Sequence, residues 1–228
     1  MATKKDSAPR ASDFVVSDTI VVRVGTQAKK YTLHERLLVY HSSYFKGALS
    51  GRFRETDDGV VPLDDVDTDV FDAFVDWMYE KKLPAYVYTQ KDDSATIPVL
   101  WHAYILADRL LAAPFKIALF EGIFDLLVLQ TKYPLFQTIA FIWEKLTTND
   151  PLLQLLIDTF CLNGGLTYGT DCDPSRFIPE VPQEALARII LKMYDIRGLS
   201  QEEKQLKRNT YNILSTLEFN NGIKGKQQ

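Results

Sequence analysis

The stretch YTLHERLLVYHSSYF, from Tyr31 to Phe45, decides how this chain folds. At its start Tyr31 and Leu33 stand two apart, the spacing of one face of a strand running from Lys29 to Leu33. Beyond Leu33 the period changes. Leu33, Leu37 and Leu38 recur at helical spacing, and Phe45, Ala48 and Leu49 resume it after a break at His41, Ser42 and Ser43. A serine at such a break starts a new helix, because its hydroxyl accepts from a backbone N–H that the first turn leaves unpaired. The segment therefore predicts a strand followed by a helical hairpin.

Upstream, DTIVVRV from Asp18 to Val24 is short and β-branched and is bounded by Gly25. It predicts a strand buried on both faces or nearly so, with Gly25 to Gln27 turning the chain so that Lys29 to Leu33 pairs back as a hairpin. Downstream, Val60, Val61 and Leu63 form a brief apolar strand. Asp64, Asp65, Asp67 and Asp69 then crowd the start of an amphipathic helix, where carboxylates complement the N-terminal dipole. Val70, Phe71, Phe74, Val75 and Met78 make its core face, with Trp77 and Tyr79 beside it, and Pro84 closes it. Tyr86 to Pro98, with Lys91, Asp92, Asp93 and Ser94, reads as a surface loop. Helices follow over Val99 to Asp108 and Pro114 to Leu129.

Near Gln130 the style changes. Phe136 to Leu146, Pro151 to Leu162 and Pro182 to Tyr194 are amphipathic helices with start signals, and Asn163 to Pro182, rich in Gly and Pro, is the largest irregular connection. Met1 to Ser12 and Asn220 to Gln228 read as flexible tails.

Composition bounds the function. Hydrophobic residues make up 46% and charged residues 25%, the balance of a globular chain with a real core. Lys and Arg number 26 against 30 Asp and Glu, a net charge of −4, so no overall field gathers nucleic acid or anionic membrane. The longest apolar runs, such as Ile117 to Leu129, are broken by Glu121 and Asp125 and fall short of a membrane span. No apolar core follows the basic N-terminus as a secretion signal requires. Two cysteines, Cys161 and Cys172, suit a reducing compartment better than a disulfide framework. A cytoplasmic or nuclear protein is expected.

Taken in order, strand, strand, His-bearing helix, Ser-started helix, short strand and aromatic-rich helix resemble the BTB/POZ fold. The family's signature of an aromatic, His, Leu, Ser and Phe is matched by Tyr31, His34, Leu38, Ser42 and Phe45. Phe53-Arg54-Glu55 resembles its Phe-x-Glu segment, Val61 to Val66 its short strand and Asp-rich turn, Phe71 to Tyr79 its helix ending in an aromatic-Tyr pair, and Ala107-Asp108-Arg109 its Ala-Asp-basic motif. The motifs cover about residues 13 to 130. Residues 134 to 197 resemble the helical tail of single-domain fungal BTB proteins. No kelch repeat, zinc finger or β-sandwich accompanies them, so the receptor half of a two-part adaptor is either missing or is that helical tail.

The resemblance implies an α+β fold, a small sheet within helices, over 13–130, an all-helical extension over 131–219, and tails at 1–12 and 220–228. It implies protein binding, with a substrate adaptor of a cullin-based ubiquitin ligase as the leading role. Oligomerisation of nuclear or transcriptional regulators is the alternative. Phe53, Glu55 and Tyr79 resemble positions that touch the cullin in cullin-binding members: an apolar ring at a loop tip fills a pocket while a carboxylate meets a basic rim. The competing reading has Phe53 capping the helical hairpin and Glu55 solvated. Family homodimers use a buried Asp near the first strand, matched by Asp18, facing a basic residue just after the signature His. Here that position is Glu35, which places the charged pocket in doubt.

Chemistry has little foothold. His34 and His41 stand seven apart, but no Cys, Asp or third His lies at ligand spacing, and His102 is isolated, so neither metal nor catalysis is expected. Gly47-Ala48-Leu49-Ser50-Gly51 has the wrong spacing for a nucleophile elbow, and Gly164, Gly165 and Gly169 match no nucleotide loop. Lys204, Lys207 and Arg208 form a basic cluster offset by Glu202 and Glu203, a weak basis for a nucleic-acid reader. No enzyme and no cofactor are expected.

Overall fold

A computed structural model describes residues 10–50, 60–89, 98–129, 136–162, 178–200, 202–211 and 213. The sheet has three strands in the order β2-β1-β3. Strand β1 (Thr19–Val24) pairs antiparallel with β2 (Lys29–His34), Val22 opposite Tyr31, and parallel with β3 (Val60–Leu63), Val22 opposite Val61. Gly25 turns the hairpin with φ +71°, and a Cβ there would sit 3.3 Å from the Val66 carbonyl oxygen. Only a residue without a side chain fits that turn unstrained.

Strand β1 is not buried on both faces. Ile20, Val22 and Val24 are buried, while Val21 and Arg23 are half-buried, the alternation of a sheet with one face on the core. Arg23 uses its freedom to grip Asp64 with two hydrogen bonds of 3.0 Å. The β-branched run hides this, because Val suits either face of a strand.

Helix α1 (Ala11–Val15) starts inside the stretch expected as a tail; the Asp13 carboxylate accepts the Arg10 N–H at 2.8 Å. Helices α2 (Glu35–His41) and α3 (Ser43–Ala48) form the expected hairpin. Ser42, fully buried at the break, accepts the Phe45 N–H at 3.2 Å and donates to the Leu110 carbonyl at 2.6 Å. One hydroxyl thus caps a helix and ties it to a segment 68 residues away.

Helix α4 (Thr68–Glu80) is capped by Asp67, whose carboxylate accepts the Asp69 N–H, and ends at Lys81 in the left-handed region, φ 59°. Its buried face, Val70, Phe71, Phe74, Trp77 and Met78, meets Phe45 and Phe115; the Phe74 and Phe115 rings lie 5.3 Å apart and the Trp77 and Phe115 rings 5.1 Å, so Trp77, expected beside the core face, belongs to it, while Val75, expected on it, is only half-buried. Of the four carboxylates expected at the helix start, Asp67 is its cap, while Asp64 is held by Arg23 and Asp65 by Arg109 at 2.6 and 3.0 Å.

The chain divides into two compact units, one of residues 1–84 with 106–115, the other of 85–105 with 116–228. Helices α5 (Val99–Arg109) and α6 (Ala113–Phe124) each contribute to both. In the segment expected as loop, a 3₁₀ turn over Ala85–Tyr88 buries Val87 completely. Helix α6 runs on as a π-helical turn, Asp125–Leu129.

The second unit adds α7 (Phe136–Trp143), α8 (Pro151–Leu162) and α9 (Gln183–Asp195), with α8 apolar nearly all round and α9 packed on it. It buries charge. Asp150, 2% exposed, accepts from Lys116 at 2.6 Å, from the Tyr104 hydroxyl at 2.9 Å and from the Leu152 N–H at 2.9 Å, so one carboxylate caps α8 and neutralises a buried ammonium. Asp158 on α8 binds the Tyr211 hydroxyl at 2.7 Å, Lys192 at 2.9 Å and Gln154 at 2.9 Å. Burial, then Asp158, push the Tyr211 phenol up, so it stays a donor. Arg208, from the cluster offered as a nucleic-acid reader, lies over the Phe124 ring and pairs with Glu121 and Asp125.

Candidate functional site

The last turns of α4 present Tyr79, Lys81 and Trp77 beside the start and end of α2. Tyr79 is 46% exposed. Its hydroxyl lies 2.8 Å from His34 Nδ1 and 3.5 Å from the His34 backbone N–H, with the rings edge to face at 5.9 Å. His34 occupies the N-cap position of α2 without capping it through its side chain. The imidazole is committed to the tyrosine instead. The ring of Tyr79 is thus fixed at both its backbone and its tip while one side faces solvent, a rigid amphipathic surface of the kind that concentrates binding energy.

At the other end of α2, His41 is buried between Tyr40 and Trp77, ring centroids at 4.7 and 5.1 Å. Lys81 contacts its Nε2, donates to the Met78 carbonyl at 2.6 Å and lies 5.0 Å from the Trp77 ring. Burial, and then the Lys81 charge, push the His41 imidazole down to about 4, so it is neutral near pH 7. With Lys81 donating to Nε2, the ring proton sits on Nδ1, which finds no hydrogen-bond partner in the described protein. Burial also lowers the Lys81 amine. The cluster anchors two helix ends rather than opening a cleft.

The sheet's exposed flank carries ion pairs. Lys29 and Asp72 meet at 3.0 Å and the Tyr31 hydroxyl donates to Asp72 at 2.7 Å; burial, with Asp72 beside it, pushes that phenol up to about 12. Hydrogen bonds from Arg23 and Arg109 hold Asp64 and Asp65 below the usual carboxylate range. Both keep their charge, already matched by an arginine.

The other residues singled out from sequence fall as follows. Phe53 and Glu55 lie outside the described residues. Asp18 is exposed, and its carbonyl accepts the Glu35 N–H at 2.9 Å, with Glu35 half-buried. His102 packs on Phe141, ring centroids 4.8 Å apart. Cys161 is a free, buried thiol that donates to the Ile189 carbonyl and is pushed up to about 11 by burial, which keeps it protonated; Cys172 lies outside the described residues. Among the described residues no cluster of three His, Cys, Asp or Glu side chains could hold a metal, and no helix is long and apolar enough to cross a membrane. The His34–Tyr79 bond escaped the sequence reading, although both residues stand in its motifs, because nothing in spacing signals a contact 45 residues apart.

No curated protein matches the chain in sequence. Among solved structures, the BTB (Tramtrack and Bric a brac) domain of human gigaxonin is similar, with 13% identity and a TM-score of 0.35, over 54% of this chain and 98% of that one. Residues 10–105 match the family model of the BTB/POZ domain. They span the strand pair, helical hairpin, third strand and aromatic-rich helix on which the motifs fall, and the chain therefore carries a BTB/POZ domain, a module for binding other proteins.

Proposed function

We propose that this protein is an adaptor that joins a target protein to a cullin scaffold of a ubiquitin ligase, in the cytoplasm or nucleus. Phe53, Glu55 and Tyr79 form the scaffold face of a BTB/POZ domain over 13–130, and the helical extension over 131–219 holds the target. The observation that carries the reading is Tyr79, a large aromatic left half in solvent yet pinned through its hydroxyl to His34. A ring already immobilised loses little entropy on docking, which favours it as a contact residue.

Calorimetric titration of the intact chain with cullin N-terminal domains tests this. Binding to one cullin is expected, weakened at least about tenfold by Tyr79→Ala, Phe53→Ala or Glu55→Lys, a loss of about 1.4 kcal/mol or more each. Absence of heat with every cullin, or binding indifferent to all three changes, removes the ligase role and leaves protein binding alone.

A further inference from the structure

We propose that the helical unit docks a partner peptide carrying an arginine three residues ahead of a tyrosine, and that the chain's own Arg208-Asn209-Thr210-Tyr211 fills that site as a displaceable strap. The inference rests on the reading that the helical extension holds the target, and names the target's chemistry. The 3₁₀ turn over Arg208–Thr210, closed by the Tyr211 N–H on the Arg208 carbonyl at 3.0 Å, brings the first and fourth side chains to one side. Both reach α6. The Arg208 guanidinium lies 4.8 Å from the Phe124 ring centroid and pairs with Glu121 and with Asp125 in the π-helical turn. The Tyr211 ring packs on Phe120 and Phe124, centroids at 6.0 and 6.2 Å, and its hydroxyl donates to Asp158 at 2.7 Å.

The receiving surface selects those two side chains. Lys192 already offsets Asp158, which therefore takes a neutral donor, whereas Glu121 and Asp125 are held by Arg208 and call for a cation. An arginine meets that demand better than a lysine, because its planar fork bridges two carboxylates while its face lies on the Phe124 ring. A tyrosine supplies the apolar body and the donor tip that Phe120, Phe124 and Asp158 require. The strap's hold is local. Between the end of α9 and Arg208 the described residues form turns rather than helix or strand, and most are exposed, so lifting the strap unwinds neither α9 nor α6. Its anchors are the exposed pairs of Arg208, of a kind that contributes little singly, and the buried Tyr211 and Ile213. A segment held in this way belongs to the part of a fold that opens first. The tether keeps it near the site at a local concentration on the order of millimolar, so a partner displaces it by matching its chemistry.

Fluorescence polarisation of a labelled synthetic peptide with the sequence of residues 205–213, titrated with the full chain, reads the exchange directly. Weak binding to the parent is expected, because its own strap competes. Binding to Arg208→Ala, which loosens the strap and leaves the docking surface intact, should be at least about tenfold tighter. With that variant, alanine in place of the peptide's arginine or tyrosine should weaken binding at least about tenfold. Phosphate on the peptide's tyrosine should weaken it as much, since it faces Asp158. Adding Glu121→Gln and Asp125→Asn, at exposed positions that do not endanger folding, should also cost at least about tenfold. Equal affinity for the parent and Arg208→Ala overturns the proposal, as does absence of binding to both or indifference to the peptide's arginine and tyrosine. No cullin enters this titration, so its failure leaves the scaffold face standing, and failure of the cullin titration leaves the peptide site standing.

Discussion

The two units solve the problem of polar groups in opposite ways. In the unit built on the sheet, the buried polar side chains among the described residues are His41 and Ser42, and the charges stand outside as Arg23–Asp64, Arg109–Asp65 and Lys29–Asp72. In the helical unit Lys116, Asp150 and Asp158 are inside, each ion-paired. The first unit specifies itself through ring packing, which tolerates changes of charge. The second does so through hydrogen-bonded carboxylates, where removal of one partner strands another.

Breaking the inner pair should have the largest effect. Asp150→Ala removes the ion-pair partner of Lys116, the acceptor of Tyr104 and the cap of α8, and should cost about 3–5 kcal/mol in urea unfolding. A cost under about 1 kcal/mol would erase the contrast between the units. Next comes pH. The folded His41 ring titrates near 4 against 6.5 for a free ring, so as pH falls the unfolded chain takes up the proton first. Stability present above pH 6.5 therefore declines between about 6.5 and 4, by up to about 3 kcal/mol, and the decline should be missing from the pH profile of His41→Phe. Tyr211→Phe keeps the ring but leaves Asp158 with Lys192 and Gln154, for an expected loss of about 1–2 kcal/mol by chemical denaturation. Smallest is Asp65→Asn, which parts an exposed pair and should shift the unfolding midpoint by less than about 1 kcal/mol, and less again in high salt.

What could be read from the chain beforehand follows the same division. Periodicity located the hairpin, the Ser42 break and the core face of α4, because those features are local and each face buries one kind of residue. Periodicity is silent on partners. Lys116 and Asp150 are 34 residues apart, and nothing around either announces that a lysine in α6 will be sealed against a cap of α8. It also misjudged a face where a residue type suits both environments: β1 was expected buried on both sides, yet Val21 is only half-buried. The candidate site was legible in part, since Tyr79 and His34 both stand in the motifs, but the bond joining them is tertiary.

The parallel pairing of β1 with β3 has a consequence for the growing chain. Strand β1 can close its hairpin with β2 as soon as Lys29 to His34 exist, but its other rim stays bare until Val60 to Leu63 arrive behind the whole helical hairpin. A fragment cut off before Val60 therefore displays open amides and carbonyls along Val21 to Val24, a template on which identical fragments can stack, and should precipitate where the longer chain stays in solution.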